Sequence, residues 1–123
     1  MTQERLSLGA WGEDQAALYL QRQGLKIIAR NLSTPVGEID IVARVKKELV
    51  FIEVKTRRSH AFGSPAEAVG PRKQRQIARA AQWYMAQEKP RLQPRFDVVA
   101  VMPDGSGGAQ IEHLPAAFDI SEL

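Results

Sequence analysis

The sequence predicts an α/β fold: a central mixed β-sheet flanked by α-helices, in the order α-β-β-β-α-β with room for a further β. Two apolar runs of strand length, EIDIVAR and ELVFIEVKT, lie either side of a short charged bridge, as the arms of a hairpin do. A third such run, RFDVVAVM, stands further along. It is separated from them by a helical apolar stripe of Ile77, Ala81, Tyr84 and Met85. A chain of 123 residues suits one domain, taken here as 1–123.

The elements follow in order. Residues 7–23, SLGAWGEDQAALYLQRQ, read as a helix, with Ser7 as its cap and Gly24 at its end. Its apolar positions include Trp11, Ala17, Leu18 and Tyr19. Residues 25–31, LKIIARN, form a short strand, and 33–37, with Pro35 and Gly37, a turn. Two strong strands then span 38–44 and 48–56. Residues 57–70 are irregular, with Gly63, Pro65 and Gly70. A second helix fits 71–88, where the missing N–H of Pro71 costs nothing at the first position. Pro90 and Pro94 bracket a loop, 95–102 is a strand, PDGSGG over 103–108 is a turn, and 110–114 suits a last short strand. Short links make the first strands antiparallel. The helix between the third and fourth strands allows a parallel crossover.

Composition removes several function classes. There is no cysteine, so disulfides, thiol nucleophiles and thiolate metal sites are excluded. That fits a reducing compartment. No apolar run approaches the roughly 20 residues that span a bilayer. The start, MTQERLSLGAWGED, has no apolar segment and no cleavage signal, which predicts a cytoplasmic protein with no membrane partner. Neither a phosphate-loop motif nor a dinucleotide fingerprint occurs, which argues against nucleotide cofactors. The net charge is +3 and the pI about 9.5. The basic residues cluster: Lys55, Arg57 and Arg58 follow one strand, and Arg72, Lys73, Arg75 and Arg79 follow soon after. Such clustering suits phosphate contacts and equally suits a solvated helix face.

The two best strands carry charges inside their apolar runs. Side chains alternate across a strand. Glu38, Asp40, Val42 and Arg44 should share one face, and Ile39, Ile41 and Ala43 the other. In the next strand Leu49, Phe51, Glu53 and Lys55 share a face, opposite Val50, Ile52 and Val54. The all-apolar faces should join one core, leaving the charged faces together. A four-residue loop over 45–48 and a two-residue loop over 46–47 give one register, with Asp40 opposite Glu53. Cross-strand Cβ atoms lie about 4.5–5.5 Å apart, so the two carboxylates should repel unless a cation stands between them. Mg²⁺ takes oxygen ligands, and with Lys55 on the same face the parts suit phosphodiester hydrolysis. The plainer reading is a salt-bridge cluster, Glu38 with Lys55 and Asp40 with Arg44. Glu38, at the start of its strand, suits solvent.

Asp40 followed by Glu53-Val54-Lys55 resembles the D…(D/E)xK signature of the restriction-endonuclease-like, or PD-(D/E)xK, superfamily. Over nearly its whole length the chain is similar to the YraN-like family of small bacterial proteins, which resemble archaeal Holliday-junction resolvases. The matching segments include Gly12-Glu13, Ala29-Arg30-Asn31, Gly37-Glu38-Ile39-Asp40, Val50 through Arg57, Lys73, and Arg95 through Val99. The resemblance implies a restriction-endonuclease-like core and metal ligation by Asp40 and Glu53, with the Val54 carbonyl as a further ligand. It implies Lys55 as the catalytic lysine. Glu13 matches the first-helix glutamate that joins the site in the resolvases; its own sequence context equally suits a solvated first-turn glutamate. The superfamily often has proline before the first aspartate, where this chain has Ile39.

These readings converge on a Mg²⁺- or Mn²⁺-dependent endonuclease acting on DNA, with branched or structured DNA as the narrower expectation. Asp40, Glu53 and Lys55 would be catalytic, and Asp40, Glu53, Val54 and Glu13 would hold the metal. Arg57, Arg58, Arg72, Lys73, Arg75 and Arg79 would hold phosphates. Lys73 could also face the site from the second helix. Cutting a four-way junction needs two sites, hence a homodimer. The alternatives are a non-catalytic nucleic-acid-binding module of the same fold and an interaction protein that needs a partner. His60 could shuttle a proton but is more simply incidental, and Asp97 is expected to pair with a nearby arginine.

Overall fold

The computed structural model describes residues 2–58 and 69–119, with side chains from residue 8 onward in the first helix. His60 and most of the irregular 57–70 segment lie outside the described residues. The elements are α1 (Thr2–Arg22), β1 (Lys26–Thr34), β2 (Gly37–Val45), β3 (Glu48–Thr56), α2 (Pro71–Glu88), β4 (Gln93–Pro103) and β5 (Ala109–Phe118). The five strands form one sheet in the order β1-β2-β3-β4-β5. The β3–β4 pair is parallel and every other pair antiparallel, so this is the mixed α/β sheet the sequence predicts, with the further strand present.

A helix covers each face. On one side Ala16, Ala17 and Leu20 of α1 pack with Ile41, Ala43, Val50, Ile52, Val99 and Val101. On the other, Ile77, Ala80 and Ala81 of α2 pack with Val42, Leu49, Phe51, Phe96 and Val98. Each large side chain so buried contributes about 1.5–3 kcal/mol. The face of β2 and β3 that carries the charges is therefore itself a core over most of its length, and only its far end is polar.

Local chemistry sets the helix ends. α2 starts at Pro71 behind an extended Gly70 and stops where Lys89, at φ 48°, turns left-handed and its N–H returns to the Met85 carbonyl. α1 stops at Gly24, whose φ of 93° suits glycine, while the Leu25 N–H closes on the Leu20 carbonyl at 3.0 Å. α1 begins at Thr2 and not at Ser7. The intervening Gln3, Glu4 and Arg5 are strong helix formers, so propensity carries the helix past the candidate cap.

The hairpin register is the one read from loop length: Arg44 opposite Leu49 and Val45 opposite Glu48. One expectation about faces is overturned. Ile39 lies in the α2-side core with Val42, while Ile41 and Ala43 lie on the α1 side. Alternation holds only while the ladder is regular, and the β2–β3 ladder ends at Ile41↔Ile52.

β5 outruns the predicted 110–114 because β4 holds it. Asp97, fully buried, accepts the Ala116 N–H at 3.0 Å across a shift in the β4–β5 register. It also accepts two bonds from Arg95, at 2.9 and 2.8 Å, and lies 2.7 Å from His113 Nε2. Arg95 reaches on to Glu48 at 2.9 Å. Asp97 is thus paired with an arginine, as expected. Among the described residues, no helix is long and apolar enough to cross a membrane.

Candidate active site

The β2–β3 ladder stops just short of Asp40 and Glu53. Where it has ended, the Asp40 carboxylate takes over, accepting the Val54 N–H at 2.8 Å. In an extended strand the N–H and C=O of one residue leave the same edge, so the Val54 carbonyl faces this fork as well. Asp40 lines an open cavity of about 320 Å³ with Gly9, Glu13, Val54 and Thr56. Gly12 lets α1 come this close to β3: a Cβ there would overlap the Thr56 hydroxyl.

Glu53 comes from the other side of β3, the face of Leu49 and Phe51 beneath α2. It is only 8% exposed. Burial, a hydrogen bond shared with Asp40 and the Asp40 charge push its pKa up to about 7, against the opposing charges of Lys73 and Lys55. Lys73, in the first turns of α2, brings Nζ to 3.7 Å from Glu53 Oε2. The structure thus brings together Asp40, Glu53, Val54, Lys73 and Lys55. Among the described residues, the salt-bridge alternative is not what forms: Asp40 does not pair with Arg44, nor Glu38 with Lys55.

Glu13 stands across the cavity. Its Oε1 accepts from Arg30 Nε at 2.9 Å and from Asn31 Nδ2 at 3.1 Å, while Arg30 also holds Asp14 at 2.7 Å. Among the described residues, no three carboxylate or imidazole side chains converge on one point. Asp40 lies between the other two carboxylates: it is hydrogen-bonded to Glu53 and shares its cavity with Glu13. Arg72, Arg75 and Arg79 are exposed along the outer face of α2, and Arg58 is exposed beyond β3. Arg57 is half-buried, and its N–H is bonded to the Val101 carbonyl at 2.9 Å. Sequence reasoning missed the tie from Arg30 and Asn31 to Glu13. The only available signal was that ARN adjoins the strand pair.

The donors at the fork are hard oxygens: two carboxylates and a strand carbonyl, with lysines beside them. Such a set fits Mg²⁺ or Mn²⁺, which are held through one or two carboxylates with water and substrate phosphate completing the shell. It does not suit softer metals, which favour sulfur.

The fork is matched by family. The sequence profile described as Uncharacterised protein family UPF0102 matches residues 12–101, which include Glu13, Asp40, Glu53, Lys55 and Lys73. A UPF0102 protein of Syntrophotalea carbinolica is 64% identical over 121 residues, covering 98% of each chain. A UPF0102 protein of Syntrophomonas wolfei is 47% identical, over 90% of this chain and 96% of its own. One from Rhodococcus opacus is also 47% identical, over 92% of this chain and 97% of its own. The chain belongs to the uncharacterised protein family UPF0102.

Proposed function

We propose that the protein is a divalent-cation-dependent nuclease that hydrolyses phosphodiester bonds in DNA, with branched or structured DNA as its substrate. The observation that carries this reading is the placement of two carboxylates against each other at the fork, one of them buried and pushed up to about 7, with Lys55 and Lys73 beside them. Asp40 takes the Val54 N–H and Glu53 has Lys73 at 3.7 Å, but beyond these the two carboxylates face each other, and a cation bound by both would relieve that opposition.

Asp40, Glu53 and the Val54 carbonyl would hold Mg²⁺ or Mn²⁺. Bound there, the ion would polarise the phosphodiester and make water a nucleophile at neutral pH. Lys55, two residues from Glu53 on the same strand face, orients the attacking water or meets the charge that develops on the phosphate. Asp40 keeps its geometry through the Val54 N–H, so the carboxylate is fixed before substrate arrives. Arg58, Arg72, Arg75 and Arg79 offer exposed guanidinium groups to a phosphate backbone, which makes binding weaken as salt rises.

The test is cleavage of a labelled panel comprising four-way junction, flap, single strand and linear duplex. Each is run with Mg²⁺, Mn²⁺ or EDTA, using wild type and Asp40→Ala purified side by side. Metal-dependent cutting that disappears in Asp40→Ala is the expected result, and the preferred substrate names the job. Equal cutting by both would expose a contaminant. Salt-sensitive DNA binding without cutting would replace the nuclease with a binding module of this fold.

A further inference from the structure

Arg30 and Asn31 are neighbours in β1, yet both donate to the same oxygen of Glu13 on α1. Consecutive residues of a regular strand point to opposite faces and cannot both reach one helix. The backbone resolves this at Asn31, which is left-handed with φ 51°. Asparagine tolerates that conformation better than most residues, though at a cost glycine would avoid. The position of the distortion matters. In the β1–β2 ladder Arg30 pairs with Ile41 and Leu32 with Ile39, so Asn31 stands opposite Asp40. The strained residue of one strand therefore faces the carboxylate at the fork of the next, and its side chain turns to the glutamate across the cavity from that carboxylate. Strain held at a site and not relieved by glycine points to a task for the side chain.

We propose that Asn31, with Arg30, is a positioning residue for Glu13. Its left-handed backbone brings two donors to Oε1 and thereby holds Glu13 at the wall of the cavity that Asp40 and Val54 share. Neither hydrogen bond engages Oε2. Glu13 is the third carboxylate of the site, lining the cavity with Asp40, and would hold water belonging to the shell of a cation bound there. This inference rests on the metal-site reading above.

The experiment is Mn²⁺ binding by calorimetry together with thermal unfolding, for wild type, Asn31→Gly and Asn31→Asp. Glycine relieves the backbone and deletes the donor. Asn31→Gly should therefore unfold at the same temperature as wild type or higher, yet bind Mn²⁺ about ten-fold more weakly, as removal of an outer partner of a metal site commonly does. Asn31→Asp keeps a residue suited to the turn but sets a carboxylate against Glu13, and should weaken Mn²⁺ binding too. An Asn31→Gly protein that binds Mn²⁺ as wild type does would overturn the inference alone. So would one whose stability and Mn²⁺ affinity fall together, since that is a folding role. A wild type that binds no Mn²⁺ would overturn the metal-site reading and this inference with it.

Discussion

The sheet buries two acidic side chains, Glu53 on β3 and Asp97 on β4, and treats them in opposite ways. Burial pushes both carboxyls up. At Asp97 that push is outweighed by hydrogen bonds from His113, Arg95 and the Ala116 N–H and by the Arg95 charge, so its pKa lies below the ordinary carboxylate value. At Glu53 a hydrogen bond to a second carboxylate, Asp40, and the charge on it add to the push, and the two lysines only partly oppose it. Depth below the surface thus does not by itself set the charge of a buried acid. What sets it is whether the fold surrounds the carboxylate with donors or places another carboxylate against it.

The largest effect should come from breaking the satisfied cluster. Asp97→Ala would leave Arg95, His113 and the Ala116 N–H around a buried gap. A loss of about 3–5 kcal/mol is expected, read by urea denaturation. Glu53→Gln, also at a buried position, should cost nothing or stabilise the metal-free protein, because it removes a charge facing a charge. A cost as large as that of Asp97→Ala would erase the contrast.

Next comes the scaffold that brings α1 to the fork. Gly12→Ala sets a methyl against Thr56 and should cost about 1–3 kcal/mol, the usual penalty for overpacking. Mn²⁺ affinity should fall with it, since Glu13 shares that helix.

The two acids also give opposite pH dependence. Glu53 holds its proton up to about 7 in the folded chain but loses it at an ordinary glutamate value when unfolded. Between those values the folded state binds more protons. Metal-free stability therefore falls as pH rises toward 7, by at most about 1.4 kcal/mol per pH unit for one proton, and levels off above it. Asp97, with its lowered pKa, contributes stability that is present at neutral pH and is lost as pH drops through its depressed value. Urea midpoints taken from mildly acid to mildly alkaline pH should show the first slope in wild type and not in Glu53→Gln.

The smallest effect belongs to the outer face of α2. Replacing Arg72, Arg75 or Arg79 singly by alanine should leave stability alone. If the residue contacts phosphate, the salt slope of DNA binding should drop by about 1. An unchanged slope would make that arginine a solvating residue only.

Much of this was legible in the sequence. The alternation in EIDIVAR and ELVFIEVKT, combined with loop length, yields the observed hairpin register, because a one-residue slip would expose an apolar face. Pro71 and the stripe through Ile77 and Ala81 mark α2 residue for residue. The misses share a cause. Ile39 changes face, Asn31 turns left-handed and β5 continues past Pro115 where a neighbouring element departs from regular geometry, and pattern reading assumes that geometry throughout. The bonds from Arg30 and Asn31 to Glu13 join residues far apart in the chain and leave no periodic trace. Asp40 and Glu53 stood out because a charge inside an apolar run breaks a pattern that burial otherwise enforces.

The most direct measurement is thermal unfolding during a Mn²⁺ titration at neutral pH, for wild type, Asp40→Asn and Glu53→Gln. A ligand at about 100 times its Kd adds about 2.7 kcal/mol to stability. Wild type should therefore gain several degrees, and both variants should gain little or nothing. A wild type that does not respond, or an Asp40→Asn protein that responds as strongly, would contradict the claim that these two carboxylates are set against each other to hold a cation.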